Sequence, residues 1–130
     1  MNELKIEATD STPSIILDKT SGKFEVKGKS FPEESRSFFA PVFDWLKEYQ
    51  KEPNEETIFK FKMEYFNSAS SLIMLEIMNV LDAIYKQGKK VTVSWNYLEI
   101  DDDMLDAGEE YAELVSVPFE YIALQEADFD

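Results

Sequence analysis

Phe59-Lys60-Phe61-Lys62-Met63-Glu64-Tyr65-Phe66-Asn67-Ser68-Ala69-Ser70-Ser71-Leu72-Ile73 is the stretch on which the fold turns. Phe59, Phe61, Met63 and Tyr65 alternate with Lys60, Lys62 and Glu64, the period of two expected of a strand with one buried and one wet face. After Asn67 the period becomes helical and runs from Ser68 to about Tyr85, where Gln87-Gly88 and the flanking Lys86, Lys89 and Lys90 suit a helix C-terminus. A strand that passes directly into a helix can be joined through it to a parallel neighbour, since parallel strands need such a crossover.

The flanking segments supply that neighbour. Val91, Val93, Trp95 and Tyr97 alternate as another strand. Asp101-Asp102-Asp103 then opens a helix carrying Met104, Leu105, Tyr111, Leu114 and Val115, and a short strand is expected near Pro118 to Ile122. Upstream, Ile15 and Leu17 followed by Phe24 and Val26 read as a hairpin turning through Asp18 to Gly22, and Leu4, Ile6 and Ala8 suggest one strand more. Between hairpin and central strand, Ser30-Phe31-Pro32-Glu33-Glu34 predicts a helix start, with Phe39, Val42, Leu46 and Tyr49 at helical spacing and a kink or a later start at Pro41. The expected fold is α/β: a mixed sheet of five to six strands joined by right-handed crossovers. Because the strands alternate, its helices should lie mainly on one face, with the other open to solvent. Residues 1–124 read as one domain, and 125–130 as a flexible acidic tail.

Composition narrows the function. The chain has 130 residues, no Cys and no His, and 13 basic against 27 acidic side chains, net −14. Disulfides, thiolate zinc sites and histidine-based acid–base or nucleophilic triads are therefore excluded. Residues 1–90 hold 13 basic and 15 acidic side chains, whereas 91–130 hold 12 acidic and none basic. That balance disfavours binding to nucleic acid or anionic membranes. It leaves open a solvated helix face, a partner-facing patch, or an acidic decoy that occupies a nucleic-acid-binding protein. Met1 is followed by Glu3, Lys5 and Glu7 without an apolar run, and no stretch reads as a membrane span, so cytoplasmic residence is expected.

No phosphate-cradling pattern forms among Gly22, Gly28, Gly88 and Gly108, so no cofactor is expected. Asp101, Asp102, Asp103 and Asp106 depart from a calcium loop, since Asp106 stands where the tight turn needs glycine; helix capping accounts for them better. For the hydroxyl cluster Ser68, Ser70, Ser71 at a helix start, capping by Asn67 or Ser68 is the commoner explanation; a modification site is the other, because a phosphate there would complement the helix dipole while blocking an apolar contact. The helix behind it carries apolar residues around most of its circumference. If Ile73, Ile77, Leu81 and Ile84 face the sheet, then Leu75, Met78, Met74 and Asp82 lie toward another helix or outward, either buried or on a partner surface.

In order and spacing, Ser11-Thr12-Pro13, Ser30-Phe31-Pro32-Glu33, Trp45, Tyr65-Phe66-Asn67-Ser68-Ala69-Ser70, Trp95-Asn96-Tyr97 and Pro118-Phe119 resemble the SiaC-type bacterial regulatory phosphoproteins, small domains similar to the STAS fold of anti-sigma-factor antagonists. The likeness spans most of residues 10–122. It implies a non-enzymatic switch. A cognate protein kinase phosphorylates the hydroxyl residue after the Asn, a PP2C-type phosphatase removes the phosphate, and the unphosphorylated form binds and activates a target such as a diguanylate cyclase. Ser68 matches the phosphoacceptor, which is threonine in the family's namesake, and Ser70 is the secondary candidate. Asn67, Ala69, Ser71, Leu72, Met74, Leu75 and Met78 are the expected partner contacts. An anti-sigma kinase as target is the alternative within the same class.

Overall fold

The computed structural model describes residues 1–129. Strands β1 (Leu4–Ile6), β2 (Ser14–Asp18) and β3 (Lys23–Ser30) form an antiparallel meander, and β3, β4 (Glu56–Phe66), β5 (Lys90–Leu98) and β6 (Phe119–Leu124) run parallel, in the sheet order β1-β2-β3-β4-β5-β6. Helices α1 (Ser35–Lys51), α2 (Ser68–Lys86) and α3 (Asp102–Leu114) connect the parallel strands in turn. Successive right-handed crossovers that always step the same way across a sheet place every helix on the same face. Burial agrees with this, for Phe59, Phe61 and Met63 of β4 are sealed beneath the helices, whereas Ile58 on the opposite face is 47% exposed.

That opposite face is not wholly open. A short turn, α4 (Glu126–Phe129), lies across it: Phe129 is buried, and Lys62, which points away from the helices, sits 5.4 Å from the Phe129 ring centroid and donates to the Asp128 carbonyl at 2.9 Å. Ser94 and Asn96 on the same face of β5 are buried as well, with the Asn96 amide donating to the Ser94 carbonyl and hydroxyl. Of the acidic tail expected at 125–130, Asp130 lies outside the described residues.

Helix α1 starts later than the sequence suggests. Ser30 is still the last ladder residue of β3, opposite Phe66, and the Phe31 amide donates to the Ser11 carbonyl at 2.8 Å, so residues 31–34 are held as a crossing loop and Pro32 does not open the helix. Pro41 is accommodated inside α1 on its exposed side, where the Ser37 carbonyl left without its usual donor can face water.

Alternation along β4 breaks at one point. Gly28 pairs with Met63 but Lys29 pairs with Tyr65, so Glu64 is an extra residue, a β-bulge that reverses the phase of the strand end. Tyr65, expected inward with Phe59, Phe61 and Met63, is turned out and 52% exposed, in edge contact with Phe31; Phe66 turns in and packs on Trp95 and Tyr111. Gly28, at φ +116°, supplies backbone freedom on the opposing strand.

Helix α2 is long and apolar enough to cross a bilayer by length and composition, contrary to the sequence expectation that no stretch would be; here it is the core helix. At about 100° per residue, Ile73, Ile77, Leu81, Ile84, Met74, Met78 and Asp82 cover one half of its circumference, and all are buried. Asp82 is the polar member. Its Oδ1 accepts from the amides of Ser116 and Val117, both at 2.8 Å, and Oδ2 pairs with Lys86 at 3.0 Å, which fixes the α3–β6 connection to α2. Helix α3 packs so closely that a Cβ on Gly108 would lie 2.5 Å from the Trp95 ring, whose Nε1 donates to the Met104 carbonyl at 2.8 Å.

Candidate functional site

The C-terminal edge of the parallel strands gathers the N-termini of α1, α2 and α3, and Ser68 stands there as the first residue of α2. Asn67, the N-cap in extended conformation, accepts from the Ser70 amide through Oδ1 at 2.9 Å, and its own amide donates to the Ser30 carbonyl at 3.0 Å. Of the two capping candidates, Asn67 and Ser68, the asparagine takes the role. The Ser68 side chain is exposed and makes no hydrogen bond among the described residues, which leaves its Oγ accessible beside unpaired helix amides.

The neighbouring serines are occupied differently. Ser70 is fully buried and shares a 2.7 Å hydrogen bond with the Ser30 hydroxyl; no enzyme could reach it without opening the helix, so it is not a second acceptor in the folded protein. Ser71, expected as a partner contact, is half-buried and tied to α3: the Tyr111 hydroxyl donates to its carbonyl at 2.8 Å and lies 3.0 Å from its Oγ. Burial raises the Tyr111 pKa, the Ser71 bond opposes that rise, and Glu110 adds to it, for a net upward shift.

The expected partner surface also needs correction. Met74 and Met78 are fully buried (0%) in the centre of the α2 half that meets the sheet and the neighbouring helices, so they belong to the core. Leu72, by contrast, is 62% exposed, Ala69 is exposed and Leu75 half-buried, all on the outer half with Ser68. Three residues that the sequence reading did not assign to the site join them: Phe66, swung inward by the bulge, and Tyr111 and Leu114 of α3, the last 64% exposed. Phe66, Leu72, Leu75, Tyr111 and Leu114 line one groove between α2 and α3, and Ser68 lies at the adjoining hollow with Phe66 and Leu72. In the sequence Leu114 is one more apolar residue of the α3 pattern, with no sign that it would stay exposed.

Across the described residues no group of three or more acidic side chains is arranged to hold a metal. Asp101 of the acidic run caps α3, its Oδ1 accepting from the Met104 amide at 3.0 Å.

A six-stranded mixed sheet with three helices on one face and an uncommitted hydroxyl at the start of the central helix defines a small domain of α/β type. Comparison with known proteins says which. The SiaC family regulatory phosphoprotein model matches residues 6–124, and the chain belongs to that family. It is similar to apo-SiaC from Pseudomonas aeruginosa, with a TM-score of 0.86 and 29% identity over 95% of this chain and 100% of that one. It resembles equally the SiaC chain in the structure of the diguanylate cyclase SiaD in complex with its activator SiaC from the same organism, at TM-score 0.86 and 29% identity over 93% of this chain and 99% of that one. An uncharacterized protein of P. aeruginosa strain UCBPP-PA14 is 29% identical over 119 residues, 92% of this chain and 94% of its own length.

Proposed function

We propose that this chain is a cytoplasmic, phosphorylation-controlled partner-switching regulator without catalytic activity of its own. A cognate protein kinase phosphorylates Ser68, a PP2C-type phosphatase restores it, and the unphosphorylated form binds and activates a diguanylate cyclase through the outer half of α2. The observation that carries this reading is the exposed, uncommitted Ser68 hydroxyl on the same helix half as the exposed Leu72. An added phosphate brings about −1.5 to −2 charges to a helix N-terminus, where the dipole accommodates it. Against a partner that must desolvate Leu72 and Phe66, the same charge is unfavourable, and ~1.4 kcal/mol lowers affinity tenfold. The structural likeness to an activator solved on its cyclase supports the choice of target.

The test is binding of the purified protein to the diguanylate cyclase of its own host, with cyclase activity read alongside. Unmodified protein is expected to bind and activate, and Ser68→Glu to fold normally and do neither. Full binding and activation by Ser68→Glu would refute the switch, and failure of the unmodified protein to bind the cyclase would refute the target.

A further inference from the structure

The groove between α2 and α3 is apolar along its floor and strongly anionic along one wall. Leu72 and Leu114, 62% and 64% exposed, stand on its two sides over Phe66, Leu75 and Tyr111. The α3 wall, Asp102–Leu114, carries six carboxylates and no basic residue. Asp103 and Glu110 line the hollows that run together at Phe66, and Asp106 and Glu113 extend the same stripe at helical spacing. Glu109, one helical turn before Glu113, lies at the edge of the stripe nearer β6, where it helps to raise the Tyr121 pKa after the larger effect of burial. No ion pair among the described residues neutralises the stripe. The groove on the far side of α2, toward α1, differs: Arg36 and Lys47 offset Asp44 and Glu76, and the Arg36–Glu76 pair at 2.7 Å spans it.

From this we infer that the α2/α3 groove receives a basic amphipathic helix of the partner, its apolar side seated on Leu72, Leu75 and Leu114 and its lysines or arginines set against Asp103, Asp106, Glu110 and Glu113. A groove between two helices is shaped for an apolar helical face, and unpaired carboxylates on one wall select the sign of the flanking charge and speed encounter. The surface is continuous with Ser68, and the inference rests on the reading above only in taking that surface as the target-binding one. The two determinants act at different places: the carboxylates attract along α3, and a phosphate on Ser68 would act at the apolar end, beside Phe66 and Leu72.

A synthetic labelled peptide with leucines and lysines at amphipathic helical spacing tests this, against a shuffled peptide of identical composition, with anisotropy read at low and high salt on the full chain. The amphipathic peptide should bind at least about tenfold more tightly than the shuffled one. Leu72→Gln with Leu114→Gln should weaken it by a similar factor, and Asp106→Asn with Glu110→Gln and Glu113→Gln should weaken it and flatten its salt dependence. Neutralising the remote Glu48 and Glu52 should leave it unchanged. Every substituted side chain is exposed, and circular dichroism confirms the fold of each variant. Equal binding of the shuffled peptide, or equal loss on neutralising Glu48 and Glu52, would overturn the inference in favour of diffuse attraction to an acidic protein. The readings fail separately: a Ser68 that is phosphorylated beside a groove that ignores the peptide removes only this inference, and peptide binding without phosphorylation removes only the switch.

Discussion

The side-chain oxygen of Asn67 accepts from the amide of Ser70 at 2.9 Å, so the first turn of α2 is capped without the exposed hydroxyl of Ser68, the residue next to the cap. Capping therefore falls to Asn67, which leaves the Ser68 hydroxyl free for the modification proposed above. Asn67→Ala should lower stability by ~1 kcal/mol, while Ser68→Ala and Ser68→Glu should stay within about 0.5 kcal/mol of wild type. Urea titrations of the three variants check this, and a large loss for Ser68→Ala would give that hydroxyl a structural role.

Ser70 should behave in the opposite way. Its hydroxyl is buried against that of Ser30, so Ser70→Glu places a charge where no cation waits and should destabilise by roughly 3 kcal/mol or more. Thermal melts of the Ser68→Glu and Ser70→Glu proteins, run together, separate an accessible acceptor from a core serine.

Gly108 lets α3 approach the sheet. Alanine there gains up to ~1 kcal/mol of helix propensity but sets its Cβ 2.5 Å from the Trp95 ring, which is itself pinned by the Met104 carbonyl. Overpacking of this kind costs ~1–3 kcal/mol. Net destabilisation with altered Trp fluorescence is expected, and a Gly108→Ala protein of wild-type or greater stability would show that α3 is free to shift.

Asp82 links stability to pH. Burial pushes its carboxyl upward, but Lys86 and the amides of Val117 and Ser116 outweigh that effect, and the net pKa lies below the ordinary carboxylate value. A depressed folded pKa contributes stability that is present above the unfolded value of ~3.9 and is lost as pH falls through the folded value. Wild type should therefore lose more stability than Asp82→Asn on acidification below about pH 4. Parallel acid-dependence curves for the two proteins would contradict this. At neutral pH, Asp82→Ala leaves two amides without their acceptor and should cost ~1–3 kcal/mol.

Much of this architecture is legible in the residues themselves. Period-two runs mark β2 to β5, and the change of period at Asn67 marks the α2 start, because in those segments apolar residues fill the face toward the core and mostly polar ones the other. Tyr65 and Phe66 were not legible: a one-residue bulge at Glu64 exchanges their faces, and alternation carries no sign of a bulge formed between two strands distant in sequence. Met74 and Met78 looked equally suited to a core or an interface, and only the packing of α2 against its neighbours decides for the core. The cover that α4 lays over Ser94 and Asn96 was hidden too, since an acidic terminal segment with one Phe gives no indication that the aromatic ring will meet Lys62.

The central claim is that Ser68 is the switched residue, and intact mass spectrometry with site mapping tests it most directly. The protein and its Ser68→Ala variant are each incubated with ATP and a lysate of the native host. One phosphate, mapped to Ser68 and missing from the variant, is the predicted result; no phosphate, or one that persists in Ser68→Ala, would contradict it.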